Sequence, residues 1–176
     1  ESESVYSNDI SKIVDKAKEL TADASAVDIT LLDDCIISSS MDFFDEWSET
    51  IKRTINFDLN GFNITSASGT GSIFGMAEQG YLNIIDSVGD SVINANGRYL
   101  LYIPGYSSVT KVYGGSFIGL SKLRGTYCNE GQLNFYGGTY NIDPSDYVTD
   151  KTYYAYPNAD ETFTVKQKIF AVESAG

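Results

Sequence analysis

Val112-Tyr113-Gly114-Gly115-Ser116-Phe117 and Phe135-Tyr136-Gly137-Gly138-Thr139-Tyr140 state one phrase twice, 23 residues apart. A unit of that length is one turn of chain, too small to enclose a core of its own. Its apolar side is buried only if each copy lies on the one before it, so the phrase predicts a stack of coils. Neighbouring segments fall into the same frame. Leu82, Thr110 and Leu133 share one inward position, and Ile84, Val112 and Phe135 share the next. Asn83, Lys111 and Asn134 then point outward, as do Ile85, Tyr113 and Tyr136. A slip of one residue would invert every face, so the common phase itself argues for in-register stacking. The paired glycines mark a corner that leaves no room for a Cβ.

Upstream the rhythm changes. Ile10, Ile13, Val14, Ala17 and Leu20 form one apolar stripe, which predicts a helix over residues 8–24. Ser7 or Asn8 serves as its cap, with Asp9 near the positive end of the dipole. From Val27 the period is two: Val27, Ile29 and Leu31 alternate with Asp28 and Thr30, and Cys35-Ile36-Ile37 follows. Ile55, Phe57 and Leu59 continue it, with turns at Asn60-Gly61, Gly89-Asp90 and Asn96-Gly97. Residues 41–51 break the pattern with Phe43, Phe44 and Trp47 among acidic residues, and read as an insert or lid. The division is a capping helix in 1–26, coils in 27–148 including the 41–51 insert, and a C-terminal cap and tail in 149–176. The fold class expected is all-β: a single-stranded, right-handed parallel β-helix of five or six coils, with an N-terminal helical cap and an irregular C-terminal one.

Composition narrows the function. With 12 basic residues against 24 acidic ones the net charge is −12, which disfavours nucleic acid and anionic membranes as partners. No apolar run is long enough to span a bilayer. The opening Glu1-Ser2-Glu3-Ser4 has neither the basic nor the apolar region of a secretion signal, and reads as a start from which any signal is already absent. Cys35 and Cys128 would lie about four coils apart at roughly 4.8 Å per coil, beyond disulfide reach; two free thiols are expected. The chain holds no His, which removes imidazole acid–base chemistry and the commonest transition-metal ligand.

Taken in order, Ile29-Thr30-Leu31-Leu32-Asp33-Asp34, then Ile55 through Ile64, then Leu82 through Ser87, then the two Tyr-Gly-Gly phrases resemble the parallel β-helix (pectin-lyase-like) repeat modules of bacterial cell-surface, adhesin-like proteins. The Tyr-rich run Tyr153-Tyr154-Ala155-Tyr156 leading to Thr162-Phe163-Thr164-Val165 resembles their closing segment. The resemblance covers roughly residues 8–165, departs at 41–51, and implies a fold and a secreted or cell-surface location. It implies no catalytic residue.

For chemistry, Asp33-Asp34 and Asp86 with Asp90 are the candidate carboxylates for work on a glycosidic bond. Adjacent strand residues point to opposite faces, however, and Asp86 and Asp90 sit in turn sequence. No calcium-binding loop pattern is present, and no metal or cofactor is expected. Asn63-Ile64-Thr65 matches a glycosylation acceptor, idle in a bacterium, and the Thr ranks of an ice-binding face are missing. Tyr113 and Tyr136, with Tyr102 on a preceding strand, form the candidate ligand-binding strip. The expectation is a non-catalytic module of a larger surface protein, acting in adhesion, glycan or protein binding, or as a spacer. The alternative is a small carboxylate-dependent polysaccharide hydrolase or lyase on the same scaffold.

Overall fold

The computed structural model describes residues 5–7, 9–21, 26–43, 53–76, 80–102, 108–125 and 132–169. One helix, α1 (Ile10–Thr21), precedes a long series of short strands. These are β1 (Ala26–Thr30), β2 (Cys35–Ile37), β3 (Met41–Asp42), β4 (Arg53–Asp58), β5 (Ile64–Ser66) and β6 (Ser72–Gly75). Then come β7 (Gly80–Ile85), β8 (Val92–Asn94), β9 (Tyr99–Tyr102), β10 (Val109–Val112), β11 (Ser116–Ile118) and β12 (Lys122–Arg124). The last are β13 (Gln132–Phe135), β14 (Thr139–Tyr140), β15 (Tyr153–Pro157) and β16 (Phe163–Gln167).

Every third strand joins the same sheet. The first sheet runs β1-β4-β7-β10-β13, the second β2-β5-β8-β11-β14 and the third β3-β6-β9-β12. All of these pairings are parallel. The chain is a parallel β-solenoid. Thr110 is in register with both Leu82 and Leu133, and Val112 with both Ile84 and Phe135, and all six are buried. The ladders expected from the repeated phrase are therefore present.

Each corner has a local cause. Asn60 and Gly61 take φ of 51° and 81°, and Asn96 and Gly97 take 50° and 91°, left-handed positions that favour Asn and Gly. At Gly137 the constraint is space, since a Cβ would sit 2.0 Å from the Tyr113 carbonyl oxygen of the coil beneath. That contact is why the phrase needs glycine there.

Four expectations are corrected in detail. Asp9, rather than Ser7 or Asn8, caps α1: its carboxylate accepts the Ser11 N–H at 3.0 Å, and its carbonyl accepts from Lys12 and Ile13. Met41–Asp42 is a strand paired with β6, and Phe43 is buried against Phe57 and Phe74. That stretch belongs to the solenoid, while 44–51, with Phe44 and Trp47, lies outside the described residues. Asn134 is covered, with Thr149 Oγ1 donating to its Oδ1 at 2.5 Å. The C-terminal cap, expected as an irregular hairpin over 147–165, is a hairpin with regular pairing: β16 pairs antiparallel with β14, and β15 with β16. Cys128 also lies outside the described residues.

The solenoid also encloses a cation. Arg98 is only 2% exposed. Its Nε, Nη1 and Nη2 donate to the carbonyls of Ser68, Ser72 and Ser38 at 2.8, 3.0 and 2.7 Å. Ser38 and Ser68 lie in the β2–β3 and β5–β6 turns and Ser72 opens β6, so one planar guanidinium ties two earlier coils to its own.

Candidate functional site

Tyr113 follows β10 and Tyr136 follows β13, and the rules of the stack bring them together. The Tyr113 N–H donates to the Ile84 carbonyl and the Tyr136 N–H to the Val112 carbonyl, both at 2.8 Å. Their ring centroids are 5.2 Å apart with planes 17° from parallel. That spacing is close to the roughly 4.8 Å between strands, so each ring covers one face of the other. Tyr153 of β15 meets Tyr136 nearly at right angles, with centroids 5.3 Å apart. The strip is thus Tyr113, Tyr136 and Tyr153. It offers solvent ring rims and hydroxyls more than open faces. Tyr102 is exposed but ends β9 in the third sheet, paired with Gly75, and is not in this row.

Sequence reasoning missed a second aromatic group. Tyr154 and Tyr156 lie on the hairpin with centroids 5.0 Å apart, and Lys166 Nζ sits 4.8 Å from the Tyr156 ring centroid. The alternation of the Tyr153–Pro157 run held the signal, because Tyr153 and Ala155 share one face and Tyr154 and Tyr156 the other.

The candidate carboxylates are bound to the corners. Asp86 Oδ1 accepts from the Gly61 N–H, the Gly89 N–H and the Ser91 hydroxyl at 3.1, 3.2 and 2.7 Å, and its Oδ2 accepts from the Ser91 N–H at 3.0 Å. Asp34 accepts from the backbone and side-chain nitrogens of Asn63 at 2.7 and 3.3 Å, and Asn63 Oδ1 accepts from the Val92 N–H at 2.8 Å. Asp33 takes the Asp34 N–H at 2.8 Å, and Asp90 is exposed in a left-handed turn at φ 69°. Asp58 accepts from the N–H groups of Asn60 and Ser87. Partial burial raises its pKa, but the Ser87 and Asn60 hydrogen bonds outweigh that and hold it below the usual value. Outward on the first sheet, Asn83 donates to Asn56 and Asn56 to Asp28, both at 2.7 Å.

Cys35 is half-buried at the first turn. Burial, and then the neighbouring Asp34 charge, push its thiol up to about 11, so it is a poor nucleophile at neutral pH. Among the described residues no group of three or more His, Cys, Asp or Glu side chains is gathered to hold a metal, and no helix is long and apolar enough to cross a membrane. Comparison with protein-family models, with curated proteins and with solved structures returned no match.

Proposed function

We propose that this chain is a non-catalytic module of a secreted or cell-surface bacterial protein, a rigid body that spaces or displays contact surfaces in adhesion. The observation that carries this reading is the use made of the carboxylates. Asp34, Asp58 and Asp86 are each engaged by donors at the corners of successive turns. Such donors occupy a carboxylate's oxygens and fix it in place, which suits a structural clamp better than a group that must reach a substrate and pass it a proton. The contact surface is the rim of Tyr113, Tyr136 and Tyr153, suited to hydrogen bonding with a glycan or a protein. In this reading the coil winds right-handed as a single chain, as parallel crossovers do, in the manner of pectin-lyase-like modules.

The test has two arms run on the full chain. A glycan array and a panel of purified surface proteins should show a ligand that Tyr113→Ala/Tyr136→Ala loses. Incubation with acidic polysaccharides should release neither reducing ends nor unsaturated uronates. Turnover abolished by Asp34→Asn or Asp86→Asn would replace this reading with the hydrolase or lyase one.

A further inference from the structure

The second sheet ends differently on its two sides. At its C-terminal side β15 is outermost. Asn158 N–H donates to Thr162 O and Lys168 N–H to Thr152 O, so Tyr154 and Tyr156, in phase with them, bond inward to β16. The outward-facing positions are then Tyr153, Ala155 and Pro157. The Tyr153 N–H is taken by the Asp150 carbonyl and Pro157 has none, which blunts this edge against a further strand.

At the other side β2 is outermost, and among the described residues no such device protects it. Cys35 N–H donates to Asn63 O, and Ile37 O accepts from Ala67 N–H, so these residues face β5. Alternation turns the N–H and C=O of Ile36 the other way. Among the described residues no strand pairs with β2 there. Ile36 itself is 73% exposed. Between this edge and α1 lies a cleft of about 600 Å³, walled by Asp9, Asp15 and Lys18 of the helix region and by Asp34 and Asp42 around β2. A volume of this size falls in the range of ordinary binding sites. Among the described residues that line it, four carboxylates and one ammonium give a formal charge of −3, with Lys18 paired to Asp15 at 3.8 Å.

The occupant follows by elimination. Two copies meeting β2 to β2 would set one acidic cleft against another. A head-to-tail copy would have to present β15, whose edge Pro157 blunts. An extended segment with alternating cationic side chains satisfies both the free edge and the cleft's charge. We propose that the β2 edge is a docking site for an extended, lysine- or arginine-bearing peptide of a partner protein, which adds to the second sheet as an outer strand.

The experiment uses the full chain and three fluorescein-labelled peptides: one alternating Val and Lys, one with Glu replacing Lys, and one with Pro replacing Val. Anisotropy should show saturable binding of the Val/Lys peptide alone, weakening as salt rises. Asp34→Asn/Asp42→Asn should weaken it roughly three- to tenfold. Hydrogen exchange on the wild-type complex should show new protection at the Ile36 amide, a readout that needs no variant to fold. Equal binding of the Pro peptide or the Glu peptide would overturn the proposal, since charge alone or apolar contact alone would then suffice. So would an Ile36 amide unchanged by the peptide, or sedimentation showing a dimer paired through β2.

Discussion

The two ends of the solenoid are finished in different ways. At the C-terminal end the hairpin extends the second sheet with its own hydrogen bonds, Val165 N–H to Gly138 O among them, and buries Ala155 and Val165. Aromatic rings fill the space beneath it: Phe117 lies parallel to Tyr140 at 5.0 Å, and Phe135 touches both Tyr140 and Tyr147. The N-terminal end is covered by α1, which buries Val14 and Ala17, half-buries Ile10 and Ile13 against the core, and leaves clefts along its flanks. What stitches that half together is the Arg98 guanidinium. The comparison teaches that a parallel stack can be sealed by continuing its sheet or merely roofed by a helix. Only the second choice leaves a strand edge within reach of a partner.

Substitutions can break this comparison at either end. The largest effect belongs to Gly137→Ala, whose Cβ would meet the Tyr113 carbonyl, a backbone atom that cannot step aside. We expect a loss upwards of about 4 kcal/mol, against about 1 kcal/mol for Gly89→Ala, where φ is 90° but the space is open. Urea unfolding of both variants measures the difference; equal losses would mean that the two coils are not in contact at Gly137.

Arg98→Met comes next. It removes the guanidinium's bonds to the Ser38, Ser68 and Ser72 carbonyls, of which Ser68 keeps the Ser66 hydroxyl and Ser72 the Ser40 hydroxyl as donors, at an expected cost of about 3 kcal/mol. The loss should be felt first in the N-terminal half, so limited proteolysis should cut there before the hairpin is touched. Cleavage that starts in the hairpin would show that the two halves do not have separate fastenings.

The smallest effect is in pH. The pKa values of Asp150 and Asp160, on and beside the hairpin, are lowered from 3.8 by hydrogen bonds from Thr152 and Thr162, and that of Asp58 is lowered as described. A depressed folded pKa stabilises the fold fully above the unfolded value and loses that contribution as pH falls through the folded one. Stability should therefore be flat from about pH 5 to about pH 8 and decline below pH 3.8, while the raised Cys35 thiol adds a separate loss at alkaline pH, above its unfolded value of 9.0. Asp58→Asn should shallow that decline, which acid titration of the melting temperature would detect. A decline that begins near neutrality would assign it to other groups.

Much of this architecture was legible because a stack turns sequence spacing into vertical contact. The phase shared by Leu82, Thr110 and Leu133 placed their ladder, and the Tyr113–Tyr136 stack followed from the same period. Alternation says which way a side chain points but not which of three sheets carries it. That is why Tyr102 was grouped with a row it does not join. Arg98 was illegible for another reason. A charged residue after Asn-Gly reads as surface turn, and only the carbonyls of earlier turns, 26 to 60 residues away, make an interior site for it. Asp34 and Asp86 were visible as acids. Their partners, Asn63 and Gly61, became visible only once the coils were stacked.

Residue-resolved hydrogen exchange on the unliganded chain tests the contrast between the ends most directly. The Val165 amide, bonded to Gly138 across the sealed end, should exchange only through near-global opening, while the Ile36 amide on the roofed end should exchange orders of magnitude faster. Equal protection at the two sites, or an Ile36 amide slower than Val165, would contradict the account.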